Sequence, residues 1–149
     1  VLPAIGIADI RANDCKPNPN AATREEMLKY NFMKMIDSGA RLVLGTDAGV
    51  LPRYSFGSAD HHEIRRYVQL GLTPAQAIVA ATSRPAELIG VKDVGTLAEG
   101  KRADFVVLNA NPLENISNTR QIASVYLRGA MLDRNALLAP WKKQANTSQ

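Results

Sequence analysis

The spacing of apolar residues predicts an amphipathic helix over residues 23–39. Four residues recur at helical spacing and would form its buried face, namely Leu28, Phe32, Met35 and Ile36. The stretch Thr23-Arg-Glu-Glu26 matches a capping box, in which a hydroxyl and a carboxylate bond each other's free backbone amides. Gly39 supplies the expected stop.

Three further helical patterns fill residues 60–90. The first begins at Asp60-His-His-Glu63 and ends at Gly71. The apolar residues of this helix, Ile64, Tyr67 and Val68, are predicted to face inward. Arg65 and Arg66 are predicted to face outward. The second begins with a Thr73-Pro-Ala-Gln76 capping box, and the third runs from Ser83 to a stop at Gly90.

Between the predicted helix at 23–39 and the helix that begins at Asp60 lies an apolar run without alternation, Arg41-Leu-Val-Leu-Gly-Thr-Asp-Ala-Gly49. Such a run is typical of a strand buried on both faces of a parallel sheet, so residues 41–45 are predicted to form a strand. In α/β proteins the catalytic and binding residues lie where such strands end. Asp47 follows the end of this strand and is therefore the leading candidate functional residue. An ordinary turn, in which the aspartate bonds its own backbone, explains the same pattern.

Beyond Gly90 the pattern changes to short strands separated by turn residues. Three segments are predicted strands, at 94–97, 104–109 and 122–127. Arg128-Gly129 could close a two-residue hairpin that returns over 130–133. Because no helix separates these strands, they predict an antiparallel sheet distinct from the preceding part, with a boundary near residue 91. The tail from residue 135 is expected to be weakly ordered, with Trp141 able to dock and residues 142–149 frayed.

Composition and charge narrow the class of protein. Of the 149 residues, 46% are hydrophobic and 21% charged, which is typical of a globular domain. The net charge of +4 comes from scattered basic pairs with few aromatic residues between them, which argues against a nucleic-acid surface without excluding one. No apolar run approaches the length of a membrane span.

The compartment stays open on the sequence. Cys15, in an Asn- and Pro-rich loop, is the only cysteine, so no internal disulfide can form, and no partner base that would make it reactive is evident. The first residue is Val1, so either a leader has been removed or the native chain begins upstream. The localisation is therefore unknown from the sequence, with a cytoplasmic protein, or a secreted or periplasmic one if a leader was removed, as the alternatives.

The adjacent histidines His61 and His62 raise the question of a metal site. Neighbouring helical positions point about 100° apart, so the two rings do not readily converge on one ion. A solvated pair in the first helical turn explains them better, although His61 could face the end of strand 41–45 and contact a ligand. The loops at 11–22 and 50–58 would form part of a pocket wall, and the candidate substrate-binding residues are Arg53, Tyr54 and His61.

Between residues 71 and 108, five motifs follow one another in a specific order: Gly-Leu-Thr-Pro-Ala-Gln-Ala, Ala-Ala-Thr, Pro-Ala-Glu-Leu-Ile-Gly, Val-Gly-Thr-Leu and Glu-Gly-Lys-Arg-Ala-Asp-Phe-Val-Val-Leu. With Thr-Asp-Ala-Gly at 46–49, this order resembles the C-terminal part of the metal-dependent amidohydrolase superfamily, particularly its imidazolonepropionase-like and prolidase-like branch. The resemblance covers residues 41–133.

The resemblance implies an α/β fold that contains the last one or two βα units of a (β/α)8 (TIM) barrel and the C-terminal strands of a small β-sandwich. Residues 41–45 would be the eighth barrel strand and 60–90 the closing helices. The predicted domains are 1–90 for the barrel portion, 91–134 for the composite sandwich and 135–149 for the tail.

The resemblance also implies a function, hydrolysis of a C–N bond by metal-activated water. In the family, the aspartate after the last barrel strand binds a divalent metal and accepts a proton from the attacking water, so Asp47 is the expected metal ligand and catalytic residue. The expected cofactor is zinc, as one or two ions, and the expected substrate is a non-peptide or dipeptide-like amide. Lys101 and Arg102 belong to the sandwich signature and are expected to be structural.

The other metal ligands of the family are a His-x-His on the first strand, a lysine or carboxylate in mid-barrel, and histidines on the fifth and sixth strands. These strands are not found in the sequence. A catalytic zinc takes about three protein ligands, whereas Asp47 is one. We therefore expect a C-terminal third of a longer enzyme, inactive without the remainder of its barrel.

Three functional interpretations stay open. The first is a metal-dependent amide hydrolase, which an upstream His-x-His in the complete reading frame would favour. The second is a non-catalytic interaction or assembly fragment, whose exposed βα edge pairs with another chain. The third is a deaminase of the same superfamily. The expected partners are an amide substrate and the rest of the barrel, with a homo-oligomer left open and neither nucleic acid nor membrane expected.

Overall fold

In a computed structural model of the protein, residues 21–49 and 56–145 are described. Within these ranges lie five α-helices, one 3₁₀-helix and three strands, which are α1 (Ala21–Asp37), α2 (Ser58–Leu70), α3 (Pro74–Ala81), α4 (Ser83–Leu88), β1 (Phe105–Leu108), the 3₁₀-helix (Ile116–Arg120), β2 (Ile122–Leu127), β3 (Ala130–Met131) and α5 (Arg134–Ala145). Over the same ranges, none of the helices combines the length and the apolar character that crossing a membrane requires.

Glycine ends three of the helices, as predicted. At the end of α1, the amides of Gly39 and Ala40 donate to carbonyls of the last turn at 2.9 and 3.0 Å, which is a Schellman motif. Gly71 after α2 and Gly90 after α4 repeat this arrangement, and all three glycines have positive φ. The predicted stops are confirmed.

Two of the four predicted helix starts are confirmed, those of α3 and of α4 at Ser83, and two differ. The capping box of α3 is formed, with the Gln76 amide donating to the Thr73 hydroxyl at 3.2 Å and the Thr73 amide donating to the Gln76 side chain at 2.9 Å. α1 and α2 each begin two residues earlier than predicted, at Ala21 and Ser58, so the predicted Thr23 cap lies within α1. Differences of one or two residues are usual at helix ends, because the ends fray.

The hydrophobic core lies between α1, α2, α3 and the segment 41–45. Its buried members are Phe32, Leu42, Tyr67, Leu70, Leu72, Ala77 and Ala80. The predicted face of α1 is confirmed, since Phe32 is buried and its three companions are partly buried against the core. The rings of Phe32 and Tyr67 are tilted by 51° with centroids 5.5 Å apart, a favourable aromatic contact.

Arg66 is buried, contrary to the prediction that it faces outward. Its side chain, only 9% exposed, forms an ion pair with Glu25 of α1 and a hydrogen bond to Gln69 at 3.2 Å. Glu63, one turn earlier in α2, is fully buried as well. The hydrophobic pattern assigns charged residues to solvent, but a charged side chain can be buried where a partner from another helix compensates it.

Two predicted strands are absent from the described part of the chain. Residues 41–45 have no regular secondary structure, because a strand requires a hydrogen-bonded neighbour and no described strand pairs with this segment. Residues 94–97 form a loop in which Gly95 has φ 84° and lies against α4. A Cβ at Gly95 would meet the Cα of Ser83 at 2.9 Å, and its positive φ interrupts an extended strand.

The three strands form an antiparallel sheet in the order β1-β2-β3, which confirms the predicted strands beyond residue 100. Phe105 lies opposite Tyr126 with the rings stacked at 4.5 Å. Arg128 and Gly129 have φ 51° and 79°, as a type I′ turn requires, so the predicted hairpin is confirmed with a shorter return strand. The division of the chain near residue 91 stays a prediction.

The predicted structural role of Lys101 and Arg102 agrees with their contacts. Lys101 donates to the Thr96 hydroxyl at 2.5 Å. The Arg102 guanidinium lies 3.4 Å from the Asp93 carboxylate and 3.5 Å from that of Asp104. Lys101 therefore bonds the 93–97 loop, and Arg102 connects that loop to Asp104 beside the start of β1.

The predicted weak tail is helical, since α5 extends to Ala145. Its start is capped by Asp133, whose carboxylate accepts hydrogen bonds from the amides of Asn135 and Ala136 at 3.0 Å each. Asp133, predicted as the end of the return strand of the hairpin, is therefore the N-cap of α5. Residues 146–149 lie outside the described residues.

Candidate functional site

Two helices hold the segment that leads to Asp47. The Val43 carbonyl accepts a hydrogen bond from the Tyr67 hydroxyl of α2 at 2.9 Å. The next residue, Leu44, donates its amide to the Ala80 carbonyl of α3 at 2.8 Å. Consecutive residues of the segment are therefore tied to different helices, which fixes the position from which the following turn begins.

The turn at residues 46–49 presents Asp47 at the surface. Asp47 is exposed and has φ 46°, a left-handed conformation that residues other than glycine seldom adopt and that aspartate tolerates better than most. The Ala48 amide donates to the Thr46 hydroxyl at 3.3 Å. Gly49 has φ 90°, and a Cβ there would lie 2.7 Å from the Phe56 ring. The turn thus exposes a carboxylate on a sharply bent backbone.

The Asp47 carboxylate fits a divalent metal as one ligand. Carboxylate oxygens bind zinc and harder divalent ions, but a catalytic zinc takes about three protein ligands. Over residues 21–49 and 56–145, no group of three or more His, Cys, Asp and Glu side chains is placed to share an ion. Further ligands would have to come from outside this part of the chain.

His61 lies near the start of α2 and is half-buried against the 3₁₀-helix. Its Nδ1 is 3.1 Å from the Thr119 hydroxyl. Burial lowers the pKa of His61, the nearby Arg120 lowers it further, and Asp60 acts in the opposite direction. His62 instead bonds a guanidinium of its own helix at 2.9 Å, so the two imidazoles have different neighbours. The predicted contact of His61 with substrate stays a prediction.

The remaining predicted site residues are not placed. Arg53 and Tyr54 lie between the two described ranges, and Cys15 precedes them. The pocket wall predicted from residues 11–22 and 50–58 therefore lies mostly outside the described residues.

The hydrophobic pattern predicts that Tyr67 faces the core but does not predict the hydrogen bond of its hydroxyl. The side chain is fully buried, and burial together with the Glu63 carboxylate raises the pKa of Tyr67. The phenol therefore stays protonated and donates to Val43 at any ordinary pH. The sequence offers one signal for this hydrogen bond, a tyrosine among the apolar residues of the predicted inward face. A buried hydroxyl needs a hydrogen-bond partner.

Comparison with known proteins identifies the family of the chain. The sequence model of the amidohydrolase family matches residues 11–132, and the chain belongs to this family. It is 39% identical over 104 residues to the imidazolonepropionase of Deinococcus radiodurans, an alignment that covers 66% of the chain and 25% of that relative. It is 46% identical over 48 residues to the adenine deaminase of Oceanobacillus iheyensis, covering 32% of the chain and 8% of that protein.

Solved structures give the same result. Molinate hydrolase superposes with a TM-score of 0.67 at 31% identity, over 72% of this chain and 27% of that one. A Xaa-Pro dipeptidase with bound methionine in its active site superposes with a TM-score of 0.65 at 30% identity, over 76% and 27%. The predicted family is confirmed, and the chain spans about a quarter of the length of the imidazolonepropionase that it matches.

Proposed function

We propose that the chain is the C-terminal part of a metal-dependent amidohydrolase that hydrolyses a small amide at a C–N bond. The observation that carries this proposal is the family match over residues 11–132. Relatives that include an imidazolonepropionase, a molinate hydrolase and a Xaa-Pro dipeptidase favour a non-peptide or dipeptide-like substrate over a long polypeptide.

The proposed architecture assigns each region a place in a larger fold. Residues 41–45 are the last strand of a (β/α)8 barrel, α2 to α4 its closing helices, and β1 to β3 the C-terminal share of a composite β-sandwich. Two observations support this assignment. Residues 41–45 are held by helices while no described strand pairs with them. The strands also carry exposed apolar residues, among them Val106, Val107 and Leu127, which a second sheet would cover.

Asp47 is the metal ligand that we propose for this chain. The candidate metal is zinc, bound as one or two ions. When bound, such an ion lowers the pKa of water and polarises a carbonyl group. The Asp47 carboxylate would hold the ion and accept the proton that the water loses. Arg53, Tyr54 and His61 are the proposed substrate contacts. The other ligands would come from the remainder of the barrel, which is the partner this proposal requires.

A deaminase is the second candidate function. The 46% identity to an adenine deaminase supports it, although that likeness extends over only 48 residues. In both reactions water attacks a carbon that is bonded to nitrogen, so the role proposed for Asp47 is common to both. They differ in the product, because a deaminase releases ammonia.

The test is Asp47→Asn in the protein expressed from its complete reading frame. Asparagine keeps the size of the side chain but loses its negative charge and its capacity to accept a proton. We expect loss of bound metal and a turnover of amide substrates lowered by more than about 10- to 100-fold, which is the cost of changing an outer-shell partner, because Asp47 is proposed to bind the ion itself. Metal content is measured by mass spectrometry of the purified protein, and ammonia release distinguishes a deaminase.

The matched control is Asp37→Asn, which removes the same charge from an exposed aspartate at the end of α1. We expect wild-type metal content and turnover for this variant. Unchanged metal content and turnover in Asp47→Asn would contradict the proposed function.

A further inference from the structure

We propose that Thr119 is a positioning residue for His61, whose hydroxyl holds the imidazole as the Nδ1–H tautomer, so that Nε2 accepts a hydrogen bond from an N–H or O–H group of the substrate. The tautomer assignment stands on contacts within the chain. The substrate contact deepens the role given to His61 above and rests on the proposed function.

The Thr119 hydroxyl lies between the 3₁₀-helix and α2. Its oxygen is 2.9 Å from the carbonyl oxygen of Ile116 and 3.1 Å from Nδ1 of His61. A hydroxyl carries a single proton, and a carbonyl oxygen can only accept a hydrogen bond. The hydroxyl proton therefore points toward Ile116, because two oxygen acceptors at this distance would otherwise repel each other. The hydroxyl oxygen is then an acceptor toward the imidazole.

This arrangement fixes which nitrogen of His61 carries the proton. A hydrogen bond from the ring to the Thr119 hydroxyl oxygen requires a proton on Nδ1. A neutral imidazole has one N–H proton, so Nε2 keeps its lone pair and acts as an acceptor. A group that meets Nε2 must therefore donate a hydrogen bond, as an amide N–H or a hydroxyl O–H does.

The surroundings of His61 favour the neutral ring. Burial lowers the pKa of His61, and Arg120 of the 3₁₀-helix lowers it further, while Asp60 of α2 acts in the opposite direction. The ring is therefore uncharged around neutral pH, and Nε2 carries a lone pair rather than a second proton.

The start of α2 lies beside the Asp47 turn. The Phe56 ring lies so close to Gly49 that a Cβ on this glycine would be 2.7 Å from it, and α2 begins two residues after Phe56. His61 is in the first turn of this helix. In a (β/α)8 barrel, the loop after a strand and the start of the next helix lie at the active-site end. Under the proposed function, His61 is thus at the end of the barrel where substrate binds.

The first test is the tautomer, measured by NMR of the imidazole nitrogens in the protein expressed from its complete reading frame. The signals of His61 are identified by their loss in His61→Gln. At neutral pH we expect a protonated Nδ1 and an unprotonated Nε2 in the wild type. Thr119→Val removes the hydroxyl and keeps the shape, so the Nε2–H form should become populated. Thr119→Ser keeps the hydroxyl and should keep the wild-type tautomer.

The matched control is Thr82→Val. The Thr82 hydroxyl also donates to a backbone carbonyl, that of Ile78 at 2.7 Å, but it lies at the end of α3. This variant should leave the tautomer of His61 unchanged. An Nε2–H tautomer in the wild type, or an unchanged tautomer in Thr119→Val, would overturn the proposal whatever the protein catalyses.

The second test is substrate binding, measured as KM and kcat for the best substrate in a panel of N-acetyl amino acids and dipeptides. We expect Thr119→Val to raise KM about 2- to 10-fold, the effect of losing one hydrogen bond, with little change in kcat. Thr119→Ser and Thr82→Val should keep the wild-type KM. A merely structural role of Thr119 would lower stability without this change in KM, and that result would overturn the substrate contact.

Metal content and the tautomer together separate this proposal from the proposed function. If His61→Gln loses metal as Asp47→Asn does, His61 is a metal ligand and the substrate contact is overturned. If the tautomer is as expected and Asp47→Asn loses metal, but Thr119→Val keeps the wild-type KM, the substrate contact is overturned and the proposed function stands. If the tautomer is as expected but Asp47→Asn changes neither metal content nor turnover, the positioning of His61 is supported, and the substrate contact fails together with the proposed function.

Discussion

The helical region, residues 21–49 and 56–90, and the sheet region, residues 91–133, bury their side chains differently. The helical region encloses a core of seven buried residues, together with the buried charges of Glu63 and Arg66. In the sheet region, Ile116 of the 3₁₀-helix is the one buried hydrophobic residue, while apolar residues of all three strands are exposed, among them Val106, Val107, Leu127 and Met131. Both regions are regular in their backbones, but only the helical region has a closed core.

This difference separates two ways of specifying structure. The sheet is specified locally, by the Arg128-Gly129 turn and by cross-strand pairs such as Phe105 with Tyr126. The core is specified by contacts between distant segments, such as Phe32 with Tyr67 and Glu25 with Arg66. A residue that contacts distant segments affects all of them, whereas a turn residue affects its own hairpin.

The largest effect is expected for Leu70→Ala in the helical region. Leu70 is fully buried, and removing a buried leucine side chain costs about 2–5 kcal/mol. We expect the opening free energy of α1, α2 and α3, measured by native-state hydrogen exchange, to fall by this amount while β1 and β2 change little. The control is Leu113→Ala at a side chain that is 56% exposed and lies outside the strands, where surface changes cost about 0.5 kcal/mol or less. Equal costs at the two positions would refute the contrast.

A smaller and local effect is expected for Gly129→Ala in the sheet region. Gly129 has φ 79°, and a side chain there costs about 1–2 kcal/mol. The nearest atom to an added Cβ is the Cβ of Ala103 at 3.9 Å, so the cost is conformational rather than steric. Hydrogen exchange in β2 and β3 should accelerate while α2 stays unchanged. Arg128→Gly relieves the other positive φ of the turn, and it should not accelerate exchange in these strands.

The smallest effect concerns His61, which joins the two regions through Thr119. Because burial lowers its pKa below the ordinary 6.5, the unfolded chain takes up a proton first as the pH falls. The free energy of unfolding should therefore decrease as the pH falls through 6.5, until the folded protein is protonated as well. His61→Gln should weaken this pH dependence between neutral and mildly acidic pH.

Stability of residues 116–120 measured by hydrogen exchange at several pH values would check the His61 prediction. His62→Gln is the control, because that imidazole bonds a guanidinium of its own helix instead of the 3₁₀-helix. An identical pH dependence in the wild type and in His61→Gln would contradict the assignment.

Much of the fold could be predicted because its signals are local. The stops at Gly39, Gly71 and Gly90 and the Thr73 capping box each depend on a few neighbouring residues. The segment 41–45 was predicted as a strand from its apolar run, but an apolar run gives burial without giving a backbone partner. The same limit explains why Arg66 was placed outside, since its partner Glu25 lies on another helix.

For the candidate site, the sequence by itself determined the family, through the order of motifs between residues 71 and 108, and the candidate carboxylate Asp47 in its small-residue turn. Only the tertiary structure decided that this turn is held by the Tyr67 hydroxyl and the Ala80 carbonyl, and that His61 lies against Thr119. The physical reason is sequence distance. Caps, stops and turns are settled by neighbours along the chain, whereas the donor that satisfies a buried backbone group is chosen by how whole helices pack.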